Sequence, residues 1–281
     1  MSDTPYFRHE RRISSGLAAE TSRESWVVQA EKCRMAAEAA LPDAAVEIYF
    51  NLGPTGRHLE GSVDPGRTPH RPAWVLGARE RPVFIEKETR DCDIVAIRLH
   101  PWMAERVLGV PANELRGALV DLDVFWGSAV DTVRNALHDE RDLTARLRIV
   151  EDAVTGIARR RPDDASHVAA ALCADTERNA GATVGELARH HGLTHRRVIE
   201  LFDRTVGLKP KAYQRVQRLR RAFLLIDRKP RPSWTTIAHR CGYYDQAHFI
   251  NDFRGLTGVS PSEYEATRSS VGHGFIPRRL A

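Results

Sequence analysis

The sequence predicts an α+β protein of two domains. The N-terminal domain is β-rich and barrel-like with flanking helices; the C-terminal domain is all-α, with two helix-turn-helix motifs joined by a long helix. Three observations predict this. Apolar residues alternate with period two only in the first half, the last third repeats itself at a spacing of 50–51 residues, and the basic excess falls in that same third. The 281 residues suffice for two domains of roughly 100–200 residues each. At 42% hydrophobic and 28% charged they can enclose ordinary cores. The net charge of +5 is uneven: Ala182 to Arg268 holds 16 Lys and Arg against 8 Asp and Glu, a net of +8 that leaves −3 for the remainder. Such asymmetry points to a nucleic-acid-binding segment joined to an ordinary domain, with a solvated basic helix face as the alternative.

In the first half, Val46, Ile48, Phe50 and Leu52 alternate with Glu47, Tyr49 and Asn51, the pattern of a half-buried strand. Cys92 to Leu99 reads similarly, with Val95, Ile97 and Leu99 on one side. Between them the Gly/Pro-rich stretch GPTGRHLEGSVDPGRTPHRP favours turns over helices. Trp102 to Leu108 and Leu143 to Ala158 read as helices, the second with Leu143, Leu147, Val150, Val154 and Ile157 along one stripe. RRRPDD at 159–164 reads as a linker, so residues 1–160 form the first domain, 166–268 the second, and 269–281 a tail. Tyr49, Trp74, Phe84 and Trp102 are candidates to line an effector pocket, against the plainer reading of core packing. Glu47, Glu86 and Glu88 read as solvated strand edges before they read as an acid–base set.

The second half carries the stronger signal. Phe202 and Phe253, Gly207 and Gly258, Pro210 and Pro261, and Tyr213 and Tyr264 each stand 51 residues apart. Upstream, Leu187-Ala188 matches Ile237-Ala238, and Gly192 matches Gly242, at a spacing of 50. Each copy has the layout of a helix-turn-helix, about 183–204 and about 234–254. A short amphipathic helix ends at a glycine, which takes a left-handed turn cheaply. A second helix then opens at an oxygen-bearing cap, Thr194 or Asp245. Val198, Leu201 and Phe202, then Phe249 and Phe253, would hold that second helix inward. Its outer side shows His195, Arg196, Arg197 and Glu200 in one copy, and Gln246, His248 and Asn251 in the other. A donor-rich helix face can enter the major groove, where Arg reads guanine and Asn or Gln reads adenine.

Between the copies, Lys211 to Asp227 reads as a long helix burying Tyr213, Val216, Leu219, Ala222, Phe223 and Ile226, with Arg215, Arg218 and Arg221 outside. It can hold two recognition helices at the roughly 34 Å that one turn of DNA requires. Thr194, Lys209, Lys211, Asp245 and Arg254 are candidates for contacts to the DNA phosphates, which give register and affinity but little specificity.

Residues from about 166 to 268 resemble the DNA-binding domain of AraC/XylS-type transcription regulators. The tandem motifs carry the resemblance, with GLKPKAY after the first and CGYYDQAHFINDFRGLTGVSPSEY as the second. It implies one chain inserting two recognition helices into successive major-groove segments, behind a separate domain that senses an effector or mediates dimerisation. It carries base-reading roles onto Arg196 and Glu200, with Gln246 and Asn251 in comparable positions. Glu200 stands where a basic residue is frequent; it could accept from cytosine N4 or pair with Arg196 or Arg197. EIYFNLG, WVLGARERPVFI, IVAIRLHPWMAERVLGVPANEL and LVDLDVFWG resemble the domain that precedes the helix-turn-helix unit in some members, which implies a small β-barrel-like sensor.

Other classes are disfavoured. No apolar run approaches the roughly 18–20 residues of a membrane span, and MSDTPYFRHERR lacks a signal-peptide pattern. Cys33, Cys92, Cys173 and Cys241 are isolated and read as reduced thiols of a cytoplasmic protein. Cys33 and Cys92 lack the zinc cluster or activating partner that an alkyl-transferring regulator would need. His190, His191 and His195 read as surface or DNA-facing residues, so no metal, cofactor or catalytic set is expected. The expected partner is double-stranded DNA; RNA polymerase, a small-molecule effector and a second copy of the chain are further candidates. The expected place is the bacterial nucleoid. An enzyme fused to a DNA-targeting module and an architectural DNA binder are the competing classes.

Overall fold

The computed structural model describes residues 7–30, 37–53, 57–60, 72–87, 92–161, 164–179, 181–267 and 275–277. Ten strands make two antiparallel sheets. They are β1 (Phe7–Ile13), β2 (Ser22–Ala30), β3 (Ala37–Ala40), β4 (Glu47–Asn51), β5 (Arg57–Glu60), β6 (Ala73–Leu76), β7 (Val83–Lys87), β8 (Cys92–Leu99), β9 (Leu119–Asp121) and β10 (Phe275–Pro277). The larger sheet runs β1-β2-β8-β4-β6-β9 and the smaller β10-β3-β7-β5. Strand alternation sorts the larger sheet's side chains between two cores. Ile48, Phe50, Val75, Val95 and Ile97 face α1 (Ala104–Leu108), α2 (Asp123–Trp126), α3 (Ala129–Asp139) and α4 (Leu143–Arg159). Trp26, Tyr49, Trp74 and Ala96 pack instead against Ala40 and Val83 of the smaller sheet.

Strand β4 therefore departs from the half-buried expectation: all five of its residues are buried. Its polar side chains are enclosed because they are paired. Glu47 bonds Arg79 at 2.9 Å and Arg98 at 2.6 Å, and Tyr49 donates to Glu47 at 3.0 Å. Arg98 also pairs with Asp43 at 3.1 Å and with Glu24. The layer between the sheets thus has an aromatic end and a charged end. Burial pushes the Asp43 carboxyl up, but Arg98, Arg220, Arg79 and Arg23 outweigh it and hold the group down at about 2.

Two further expectations change. Arg57–Glu60, within the Gly/Pro-rich stretch, forms a strand at the sheet edge, where one partner suffices and flanking turn residues are tolerated. Residues 61–71 of that stretch lie outside the described residues. The tail contributes β10, which pairs Phe275 with Ala40 and Pro277 with Glu38. Pro277 is accommodated there because β10 is itself an edge strand.

The helical half comprises α5 (Asp164–Arg178), α6 (Val184–His190), α7 (His195–Leu201), α8 (Pro210–Ile226), α9 (Trp234–Arg240), α10 (Gln246–Thr257) and α11 (Pro261–Thr267). One π-helical turn, Phe202–Val206, extends α7. α5 joins the core of the first motif through Leu172 and Cys173, beside Leu187, Val198, Leu201 and Phe202. The second motif gathers Ile237, Phe249, Phe253 and Tyr264 on Phe223 and Leu219. Both cores take residues from the first half: Ala44 and Ala78 in one, Ala39 and Leu41 in the other. Salt bridges reinforce the junction, with Arg204 bonding Glu105 at 2.6 and 3.1 Å and Arg116 pairing with Asp203. Gly207 follows the π turn at φ +81°, and a Cβ there would lie 2.7 Å from the carbonyl oxygen of Ala112.

Two outcomes follow from these contacts. Gly207→Ala strains the backbone and forces the two halves apart; urea unfolding should show a loss of about 1–3 kcal/mol. Asp43 is the more acidic in the folded state, below its unfolded value of 3.8. Its stabilisation is complete above about pH 4 and disappears as the pH falls towards 2. Asp43→Asn should cost about 3–5 kcal/mol at neutral pH and flatten the acid limb of a stability–pH curve.

Candidate nucleic-acid interface

Each motif is built by local rules visible in its residues. Thr183 caps α6 and exchanges hydrogen bonds with Glu186, forming a capping box. The chain turns at Gly192, φ +63°, and Thr194 caps α7 by accepting from the Arg197 amide at 3.1 Å. In the second copy Ser233 caps α9, Gly242 turns at φ +79°, and Asp245 caps α10 by accepting from the His248 amide at 2.7 Å. The side-chain oxygens of Thr194 and Asp245 are therefore engaged in capping, which sets the direction of each recognition helix.

The outward faces are as the repeat implies. His195, Arg196, Arg197 and Glu200 are exposed on α7 while Val198 and Leu201 are buried. His248 and Asn251 are exposed on α10, and Gln246 is half-buried, its Oε1 accepting from the Thr235 hydroxyl at 2.9 Å. Glu200 bonds Arg196 at 2.7 Å and lies 3.9 Å from Arg197. That hydrogen bond holds the Arg196 guanidinium more basic than usual. His248 meets Tyr243 edge-on at 5.2 Å. Lys209 and Lys211 are exposed at the start of α8, and Arg254 is exposed 3.9 Å from Glu263. Tyr244, 87% exposed in the turn before α10, is a further aromatic beside this face.

The expected stripe of α8 is buried in full, but Arg215, Arg218 and Arg221 are not free outside it. Arg215 pairs with Asp252 of α10, Arg218 lies 5.0 Å above the Tyr243 ring, and Arg221 donates to the Glu177 carbonyl at 2.7 Å. The helix is gripped on several sides, and long arginine stems reach across to the second motif and to α5. Tyr243 also donates to Asp252 at 2.8 Å, and Tyr213 to Glu177 at 2.6 Å. The second motif is thereby tied to α8 through Asp252, and helix α5 through Glu177.

The four residues proposed to line an effector pocket are not brought together. Tyr49 and Trp74 stack at 5.3 Å inside the core between the sheets. Trp102 stacks on His100 at 4.6 Å, between the helix-covered core and the first motif. The side chain of Phe84 lies outside the described residues. Tyr49 and Trp74 thus share one core, and Trp102 packs against two others. Of the histidines, His190 and His191 approach Asp175 at 3.7 and 2.6 Å, a third contact coming from Arg178; His195 is not part of this group. Among the thiols, burial pushes Cys173 up to about 12 and Cys241 up to about 11, so neither is a nucleophile at neutral pH. Cys33 lies outside the described residues. No helix among the described residues is long and apolar enough to cross a membrane.

Comparison with known proteins separates the two halves. Residues 187–267 match a helix-turn-helix domain family, and residues 21–121 match a domain of unknown function, DUF6597. Over 83 residues the chain is 31% identical to the arabinose operon regulatory proteins of Salmonella typhimurium and Escherichia coli. The match covers 30% of this chain and 29% and 28% of those two, so it spans less than a third of the curated relatives. Solved structures of ToxT from Vibrio cholerae align over 94% of this chain at 10% identity. The TM-score is 0.50 with 98% of one such structure covered, and 0.53 with 95% of another, of ToxT bound to an unsaturated fatty acid. At that identity the likeness is one of fold: an antiparallel-sheet domain followed by a helical one. The capped tandem motifs, the matched family and the arabinose-regulator identity agree: residues 187–267 are a helix-turn-helix domain of the AraC type.

Proposed function

We propose that the protein is a sequence-specific DNA-binding transcription regulator that reads two successive major-groove segments with α7 and α10. The observation that carries this reading is the pair of capped helices, each with a polar exposed face, tethered to the two ends of one rigid helix. At 17 residues α8 is about 25 Å long at 1.5 Å per residue. The first motif packs on its N-terminal half and the second on its C-terminal half, a separation that suits recognition helices one turn of DNA apart. Arg196, Arg197, Gln246 and Asn251 then supply base contacts, and Lys209, Lys211 and Arg254 supply phosphate contacts. Before DNA is bound, Glu200 holds Arg196 in a side-chain pair, so base reading requires that pair to open or to be shared with a base.

The N-terminal half acts as the controlling domain. Its sheet shares cores with both motifs and its salt bridges hold the π turn after α7, so a small-molecule effector bound there can change how the motifs are presented. The unsaturated fatty acid bound to the fold neighbour ToxT is in keeping with a small-molecule effector.

Selection of binding sites from random duplexes with the full chain should yield two half-sites one helical turn apart. Equal affinity for selected and random DNA at physiological salt would sink the reading. Arg196→Ala and Asn251→Ala should each weaken the selected site about tenfold to a hundredfold and relax preference at one base pair. Lys211→Ala should weaken all duplexes alike and lower the slope of log affinity against log salt by about one.

A further inference from the structure

The first motif carries a group of side chains that base reading does not use. Asp175 of α5 meets His190, in the last turn of α6, and His191, which follows it. Oδ2 of Asp175 lies 2.6 Å from Nε2 of His191 and 3.7 Å from Nε2 of His190. The three ligand atoms all fall within 4.8 Å of one another. A shared proton accounts for the shorter contact but not for the longer one, which is beyond hydrogen-bonding distance. The His190 side chain is 71% exposed and has solvent to face, yet its Nε2 turns to the oxygen that His191 already holds. Arg178 pairs with the other carboxylate oxygen, Oδ1, which leaves Oδ2 to the imidazoles. Partners of that kind orient the ligands of metal sites. Arg178 also opposes a cation by its charge, but at 74% exposure that charge is screened. The last carbonyls of α6 act in the other direction, since a helix C-terminus favours positive charge.

We propose that Asp175, His190 and His191 bind a divalent transition-metal ion of the zinc class through Oδ2 and the two Nε2 atoms, with water completing the coordination. Two imidazoles and one carboxylate are a donor set that zinc takes while keeping a fourth position open. Ligand atoms about 2.0–2.2 Å from such an ion stand roughly 3.3–3.6 Å from each other in a tetrahedron. The 2.6 Å contact therefore opens by less than about 1 Å and the 3.7 Å contact closes by a few tenths. The ion takes the place of the shared proton, and the His191 ring carries its proton on Nδ1 instead. Imidazole nitrogen selects this class of ion over Mg²⁺ and Ca²⁺, which take oxygen ligands. Because Asp175 belongs to α5 and the histidines stand just before Gly192, the ion clasps α5 to the turn that opens α7. None of the base-reading residues is a ligand, so the site stands independently of the regulator reading.

The test is equilibrium dialysis of the untagged full chain, stripped with a chelator, against low micromolar zinc. A tight site of one ion per chain is expected, and a millimolar excess of magnesium should not displace it. Cobalt(II) in place of zinc should give the visible absorption of a four-coordinate site, which zinc then abolishes. The chain has 12 histidines, so the variants decide where the ion sits. His190→Gln, at an exposed position, should leave Tm without metal unchanged and weaken zinc at least about tenfold. Asp175→Asn keeps a hydrogen-bonding partner for His191 and should weaken zinc as much. His195→Gln, outside the group, should bind zinc as the parent does. No zinc held at micromolar concentration, displacement by magnesium, undiminished binding in His190→Gln and Asp175→Asn, or an equal loss in His195→Gln would overturn the inference.

Discussion

Helix α8 has to satisfy two cores with one apolar stripe. Tyr213 and Val216 belong to the first motif's core, whereas Leu219, Ala222, Phe223 and Ile226 belong to the second's. The changeover takes place within one turn, at residues that share one side of the helix. A rotation or shift of α8 therefore cannot improve one core without opening the other, and interiors packed at crystal density resist such changes. Asp252, through Arg215, and Glu177, through Tyr213 and Arg221, fix the rotation further. The relative placement of the recognition helices is a property of this single rod.

The first half bears on the same rod through charge. Glu24, Glu47 and Asp43 face Arg98 and Arg79 in the layer between the sheets, and the acids are matched there almost group for group. Towards α8 the balance is lost, and arginines face arginines. An interface that is neutral on its sheet side and cationic on its helix side holds together through its apolar contacts, Ala39 and Leu41 among them.

Most of the helical half was legible in the sequence because its determinants are local. Caps, turn glycines and the apolar stripe lie within a few residues of each other, and the 50–51-residue repeat states each of them twice. The outward residues of α7 and α10 followed directly. The sheet domain was less legible. Alternation marked β4 and β8 as strands, but Glu47 read as solvent-facing because the partners that permit its burial, Arg79 and Arg98, lie 32 and 51 residues away. The group at Asp175 was hidden for the same reason, since its carboxylate stands on another helix, 15 and 16 residues before the two histidines. Of the aromatics named as pocket candidates, Tyr49 and Trp74 are packed in the core between the sheets.

The pairing of β10 with β3 joins residues 40 and 275, nearly the whole length of the chain. Such a contact closes a very large loop and contributes late to folding, after the locally determined helices have formed. During synthesis the outer edge of β3 must therefore wait, unpaired, while more than two hundred residues emerge. An open strand edge is a template for association with other chains. The short C-terminal strand is in this sense a seal: until it arrives the sheet can recruit a neighbour, and once it is seated that edge is closed.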